Sequence, residues 1–282
     1  MATDKEKLAA KDAKIAELQE KLKRVRFKLE LAQIQKEDMD LDHALLWEEK
    51  YRGIYSLETP GEEVLAHIAY KRDLELAPGL IMLRSGYLIA QRFKRLFEQE
   101  GVTNLKSVLD FGCGPGRVTR FLDRLGDGVQ IYGCDIDAQA IGWAREHLSE
   151  TYFVSNDHPP IPSDIEQFGA VIVLSVFTHL PEDMQFEWLE ELAKRVEPGG
   201  LVMATFHGPS YYRFIPEADR GQFEQNGFVH SDLGKTPDLP DYYLSTFHTH
   251  DYVESNWTRH FKLRRILAQE IGGQDLAILE KV

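Results

Sequence analysis

Three glycines, two carboxylates and three histidines offer the bare backbone and side chains on which this chain could build chemistry. The glycines stand in the run Val108-Leu109-Asp110-Phe111-Gly112-Cys113-Gly114-Pro115-Gly116-Arg117, where an apolar stretch breaks and an amphipathic segment follows. That order reads as strand, tight turn, helix. Gly112, Gly114 and Gly116 have no Cβ, so the chain can turn sharply and a ligand can lie against bare amides beside the start of the next helix. The spacing is Gly-x-Gly-x-Gly; the dinucleotide pattern Gly-x-Gly-x-x-Gly would want glycine where Arg117 stands. Asp135 follows the next apolar run (Val129, Ile131, Tyr132), where the second strand of a doubly wound sheet places the acidic residue for a ribose diol.

The histidines come later. Gly169 to Leu174 is a continuous apolar run, the pattern of a central strand covered on both faces, and it delivers Ser175, Val176, Phe177, Thr178 and His179 to the ligand edge. A helix from Glu182 to Val196 and the turn Glu197-Pro198-Gly199-Gly200 lead to a strand from Leu201 to Phe206, which ends at His207. Carboxyl ends of strands border the ligand crevice of an open α/β sheet, so His179 and His207 are candidate bases at one site; capping of a strand or helix end is the other reading. His248 is a third candidate. With His250 and Asp251 it suits a helix start better than a metal site, and no metal is expected.

The remaining elements must position these groups. Leu8, Ile15, Leu22 and Leu29, with Leu18, Val25, Ala32 and Met39, form a heptad seam that predicts a coiled-coil helix over 1–41 and a homo-oligomer. Residues 42–100 stay helical, broken at Gly53, Thr59-Pro60-Gly61 and Ala77-Pro78-Gly79, and read as a helical cap. Residues 101–282 form the catalytic domain. Within it, 209–245 is irregular, aromatic and too long for an ordinary connection, so it reads as a substrate cap. Phe261 to Ala268 and Gln274 to Glu280 pair as a hairpin around Gly272-Gly273.

From about residue 80 onward the chain resembles the class I S-adenosylmethionine-dependent methyltransferases, on an acidic residue followed by Gly-x-Gly-x-Gly (Asp110, Gly112, Gly114, Gly116), on Asp135, and on the helix, Pro-Gly-Gly, strand order. The resemblance implies an α/β fold: a doubly wound, Rossmann-like sheet of seven strands with the last antiparallel, preceded by N-terminal helices and the coiled coil. It implies S-adenosylmethionine as cofactor, with Asp110 and the glycines at its methionine part, Asp135 at the ribose, Ile136 on adenine, and Asn156 or Asp157 accepting from the adenine amino group. Ser175 joins that set at the strand end, and Arg84 and Gly86 are candidates for the cofactor's carboxylate. The segments Ser175 to Leu180 and Thr246 to Trp257 are also similar to bacterial methyltransferases associated with glycan assembly. A sugar or glycan hydroxyl is therefore the first acceptor and a small natural-product hydroxyl the second; a non-catalytic cofactor-binding scaffold is the reading from another class.

Composition bounds the rest. A formal net charge of −13 argues against nucleic acid as a partner, because such binders cluster basic charge. The two cysteines, Cys113 and Cys134, have no metal-ligand spacing and suggest no disulfide framework. No apolar stretch approaches a membrane span and no signal-peptide core opens the chain, so a cytoplasmic location is expected.

Overall fold

The computed structural model describes residues 56–61, 78–102, 105–122, 125, 128–149, 151–232 and 240–282. The heptad run over 1–41 and most of the expected cap before Pro78 lie outside the described residues. Helix α1 (Pro78–Gln99) opens on proline, whose fixed φ suits a first helical position. It buries Leu83, Ala90, Phe93 and Phe97, a stripe at helical spacing.

Strands β1 (Ser107–Phe111), β2 (Gln130–Asp135), β3 (Tyr152–Val154), β4 (Phe168–Val173), β5 (Val196–Phe206), β8 (Phe261–Ile271) and β9 (Gln274–Lys281) build one sheet in the order β3-β2-β1-β4-β5-β9-β8. The first five are parallel, and β9 runs antiparallel between β5 and β8. Alternation along the strands splits the core in two. Leu109, Val171, Val202 and Ala277 face one side with Trp188, Leu189 and Leu192 of α3 (Glu182–Arg195), while Val108, Ile172, Met203 and Ile278 face the other with α1. The chain starts at β1 in mid-sheet, moves outward to β3 and returns to β4, so the ligand crevice opens between β1 and β4.

Two expectations differ from the structure. Much of the expected irregular stretch is regular: Pro209–Phe214 is a 3-10 turn, Glu217–Asn226 is a helix, and β6 (Phe228–Ser231) pairs antiparallel with β7 (Ser245–His248) in a separate two-stranded sheet. The helix starts after Pro216 and stops at Gly227, whose φ of 71° is left-handed; its one buried side chain, Phe223, gave no periodic signal. The helix expected directly after the glycine turn is, among the described residues, only a 3-10 turn at Thr119–Phe121. The Arg120 side chain donates to the carbonyls of Pro115 and Gly116, and Gly116 O also accepts from Arg120 N at 3.4 Å. Among the described residues no helix is long and apolar enough to cross a membrane.

Candidate active site

A cavity of about 580 Å³ opens over the carboxyl ends of β1, β2, β4 and β5. β1 feeds the glycine turn into its floor. Gly112 and Cys113 donate their N–H groups to Cys134 O at 2.8 and 3.0 Å, extending the β1–β2 ladder by one step. Gly112 has a φ of +81°, and a Cβ there would stand 2.3 Å from Val176 Cγ2. A Cβ on Gly116 would strike the Tyr152 hydroxyl at 2.6 Å, so this glycine serves packing and does not border the cavity. Gly114 differs from both: a Cβ there meets nothing within 4 Å, and its backbone borders the cavity, open to a ligand.

Asp135, at the end of β2, holds this turn. Its Oδ2 accepts from Gly114 N at 2.7 Å and its Oδ1 from Asp137 N at 2.9 Å. Burial raises its pKa and those backbone donors oppose the rise. Asp137 in turn caps helix α2 (Ala138–His147), accepting from Gln139 N and Ala140 N. Asp110 is 1% exposed and accepts from Thr119 Oγ1 at 2.6 Å. Burial pushes its carboxyl up to about 6 against the Thr119 hydrogen bond and the Arg117 charge.

Arg120 fastens the turn from behind. Its guanidinium donates to Gly116 O at 2.9 Å, to Pro115 O at 3.0 Å and to Glu58 O at 2.7 Å, joining the segment 56–61 to the turn.

His179 and His207 reach the cavity from the ends of β4 and β5. The His179 Nδ1 lies 2.8 Å from Leu244 O and the His207 Nδ1 3.1 Å from Thr246 O. A carbonyl only accepts, so each Nδ1 carries the proton and each Nε2 keeps its lone pair. Burial lowers the pKa of both to about 4. They are therefore neutral at pH 7 and weaker bases than the ordinary imidazole assumed from sequence.

Ser175, between β4 and His179, adopts a φ of 59°, uncommon for a residue with a side chain. Its N–H donates to Thr205 Oγ1, its carbonyl accepts from Thr178 Oγ1, and its hydroxyl donates to Gln274 Oε1. Three bonds fix this conformation at the cavity wall.

The structure brings Asp110, Gly112, Gly114, Asp135, Ile136, Asn156, Asp157, Ser175, His179 and His207 to one cavity. Arg84, Gly86, Gly116 and His248 do not border it. Gly86 is a packing position, since a Cβ there would lie 2.0 Å from Arg117 O. His248 is fully buried, its Nε2 2.9 Å from Gln185 Oε1, and burial lowers its pKa to about 3. His250 does not lead a metal set but faces Asp275 at 2.5 Å. Asn156 Nδ2 is taken by Pro160 O at 2.9 Å, while Asp157 stands exposed at the cavity rim.

Sequence reasoning missed Gln274 and Arg117 on the cavity wall, and singled out Tyr243 only as one of several aromatics of the substrate cap, for stacking or for packing. Gln274 was legible in principle, because an antiparallel β9 beside β5 must start at the ligand edge. Tyr243 had no such signal; it stacks on His179 with centroids 4.1 Å apart and planes at 12°.

The geometry fits a cationic cofactor bearing a ribose. The lining holds four carboxyl side chains, Asp110, Asp135, Asp137 and Asp157, against one guanidinium, Arg117. Residues 108–200 match the family described as a methyltransferase domain. The chain is 29% identical over 111 residues to a trans-aconitate 2-methyltransferase of Rhodopseudomonas palustris (strain BisB18), covering 38% of this chain and 41% of that protein. It is 24% identical over 140 residues to the tRNA N(3)-methylcytidine methyltransferase trm141 of Schizosaccharomyces pombe, covering 45% and 55%. The chain thus spans about half the length, or less, of these curated relatives. Among solved structures, the PH0226 protein of Pyrococcus horikoshii OT3 superposes with a TM-score of 0.55 at 17% identity, over 79% of this chain and all of that one. Magnesium protoporphyrin IX methyltransferase of Synechocystis PCC 6803, with bound SAH, gives a TM-score of 0.51 at 14% identity over 78% and 92%. Family match, sheet order and glycine turn agree on a methyltransferase domain over residues 108–200.

Proposed function

We propose that the chain moves the methyl group of S-adenosylmethionine to a hydroxyl oxygen of an uncharged acceptor, a sugar or glycan first and a small natural product second. When bound, the cofactor supplies an electrophilic methyl on sulfonium sulfur. The C–S bond breaks as the C–O bond forms, the leaving group is S-adenosylhomocysteine, and the hydroxyl proton passes to an imidazole Nε2. Asp135 holds the ribose hydroxyls and the open backbone of Gly114 lets the cofactor lie close. The pair His179 and His207 is the observation that carries the reading: both are neutral and both have Nδ1 fixed on a carbonyl, which leaves Nε2 to accept. With pKa values near 4 they orient the hydroxyl more than they deprotonate it, and alignment supplies most of the rate.

An acid-rich lining and a net charge of −13 support a neutral acceptor over a carboxylate or a polyanion such as tRNA. The heptad seam of residues 8–39 supports self-association through a coiled coil.

The test is S-adenosylhomocysteine release from purified protein offered monosaccharides, phenols, trans-aconitate and bulk tRNA. Turnover on hydroxyl acceptors alone supports the proposal. Turnover confined to trans-aconitate or tRNA replaces the acceptor, and cofactor binding without turnover on any of them moves the assignment to a scaffold.

A further inference from the structure

Tyr243 stacks on His179 and borders the cavity that Asp135 also lines. Its ring lies flat on the His179 imidazole, 4.1 Å between centroids and 12° between planes. The next residue, Leu244, gives the carbonyl that accepts from His179 Nδ1. The turn carrying both is tight, with Tyr243 N donating to Pro240 O at 2.8 Å and Leu244 N to Tyr242 O at 2.9 Å. Tyr243 borders the same cavity as Asp135. Burial pushes the phenol pKa up, and the Asp135 charge adds to the rise. Tyr242 stands in the same relation to Asp157.

We propose that Tyr243 is a positioning residue that couples cofactor occupancy to His179, an inference that rests on the methyl-transfer reading above. A nucleoside seated on Asp135 packs against Tyr243, and the ring fixed in this way holds the imidazole stacked on its other side. The titratable groups facing His179 are His207, His230 and Tyr243. Burial lowers the pKa of both histidines, leaving them neutral at pH 7, and raises that of the phenol. No ionised neighbour among them competes with the stacked ring in setting the imidazole's surroundings. Cofactor binding then adds a second restraint to a base that Leu244 O already orients.

The experiment is an NMR pH titration of the His179 Cε1–H resonance in the full chain, assigned with His179→Gln, with and without S-adenosylhomocysteine. In the wild type the ligand should move this resonance and lower its midpoint. Tyr243→Ala should weaken ligand affinity about three- to tenfold, the range an aromatic contact is worth, and abolish the ligand-dependent shift. Tyr243→Phe keeps the stacked face and should restore it. A ligand that binds the wild type while the His179 resonance stays still would overturn the inference and leave methyl transfer standing. So would a Tyr243→Ala variant that loses thermal stability yet keeps the shift, the mark of a purely structural ring. If the wild type does not bind the ligand at all, the cofactor assignment itself fails and this inference goes with it.

Discussion

The imidazoles of His179 and His207 stand edge to face, with centroids 6.3 Å apart and planes at 80°. Both are oriented by one short stretch of main chain, through Leu244 O and Thr246 O. They are not equivalent, because β4 borders the β1 crevice and β5 lies one strand farther out. His179→Gln should therefore lower kcat about 10²-fold, the order that lost alignment of a reacting group costs. His207→Gln should mainly raise the acceptor KM. Steady-state kinetics on the first acceptor found would separate the two.

The buried histidines also set an acid limit. In the unfolded chain they titrate near 6.5, and in the folded protein near 4 for His179 and His207 and near 3 for His248. Between these values the unfolded histidines bind more protons, so their contribution to stability is full above about pH 6.5 and declines as pH falls toward 4, while Asp110, raised by burial to about 6, offsets part of that decline. Each of the two site histidines contributes on the order of 2–3 kcal/mol to that decline. Thermal melts across this window should fall steeply for the wild type and less steeply for His179→Gln, with the difference vanishing above pH 7.

Two glycine replacements should fail for different reasons. Gly116→Ala drives a methyl into Tyr152 and Leu148 at a φ of +75°, and should lower the melting temperature with S-adenosylhomocysteine affinity reduced only through lost fold. Gly112→Ala collides with Val176 on the cavity wall and should reduce affinity at temperatures where the protein remains folded. Adding Val176→Ala should recover part of that loss, since it relieves the clash and leaves the left-handed φ.

Removing the Asp135 carboxylate deletes the proposed ribose contact and the bonds that hold Gly114 and Asp137. Asp135→Ala should weaken S-adenosylhomocysteine binding by calorimetry about tenfold to a hundredfold, as expected for hydrogen bonds to a charged group. Unchanged affinity would remove Asp135 from the ribose site.

Deleting residues 1–40 removes the heptad seam. Light scattering should then report a smaller assembly while cofactor affinity stays near its starting value; an unchanged mass would end the coiled-coil reading.

Much of the sheet was legible because its signals are local. The apolar run Gly169 to Leu174 appears as β4 (Phe168–Val173), and the Gly272-Gly273 hairpin joins two strands as its pattern indicated. What escaped depends on partners distant in sequence. Arg120 reads as a surface arginine until the carbonyls of Pro115, Gly116 and Glu58 converge on it. Tyr243 reads as loop packing until the fold sets it on His179. The strand-end rule put His179 and His207 at the ligand edge, and both border the cavity; His248, a third candidate named without that rule, does not. β7 lies outside the main sheet, and Gln185 meets His248 in the interior instead.

The carbonyls that orient the two imidazoles belong to the backbone, and this separates two kinds of sequence change. Exchanging the side chain of Leu244 leaves its carbonyl in place, so relatives can vary there without disturbing either tautomer. A one-residue insertion or deletion between Tyr242 and Thr246 has the opposite effect: it slides both carbonyls out of register at once. Along this stretch, divergence should proceed by substitution at constant length.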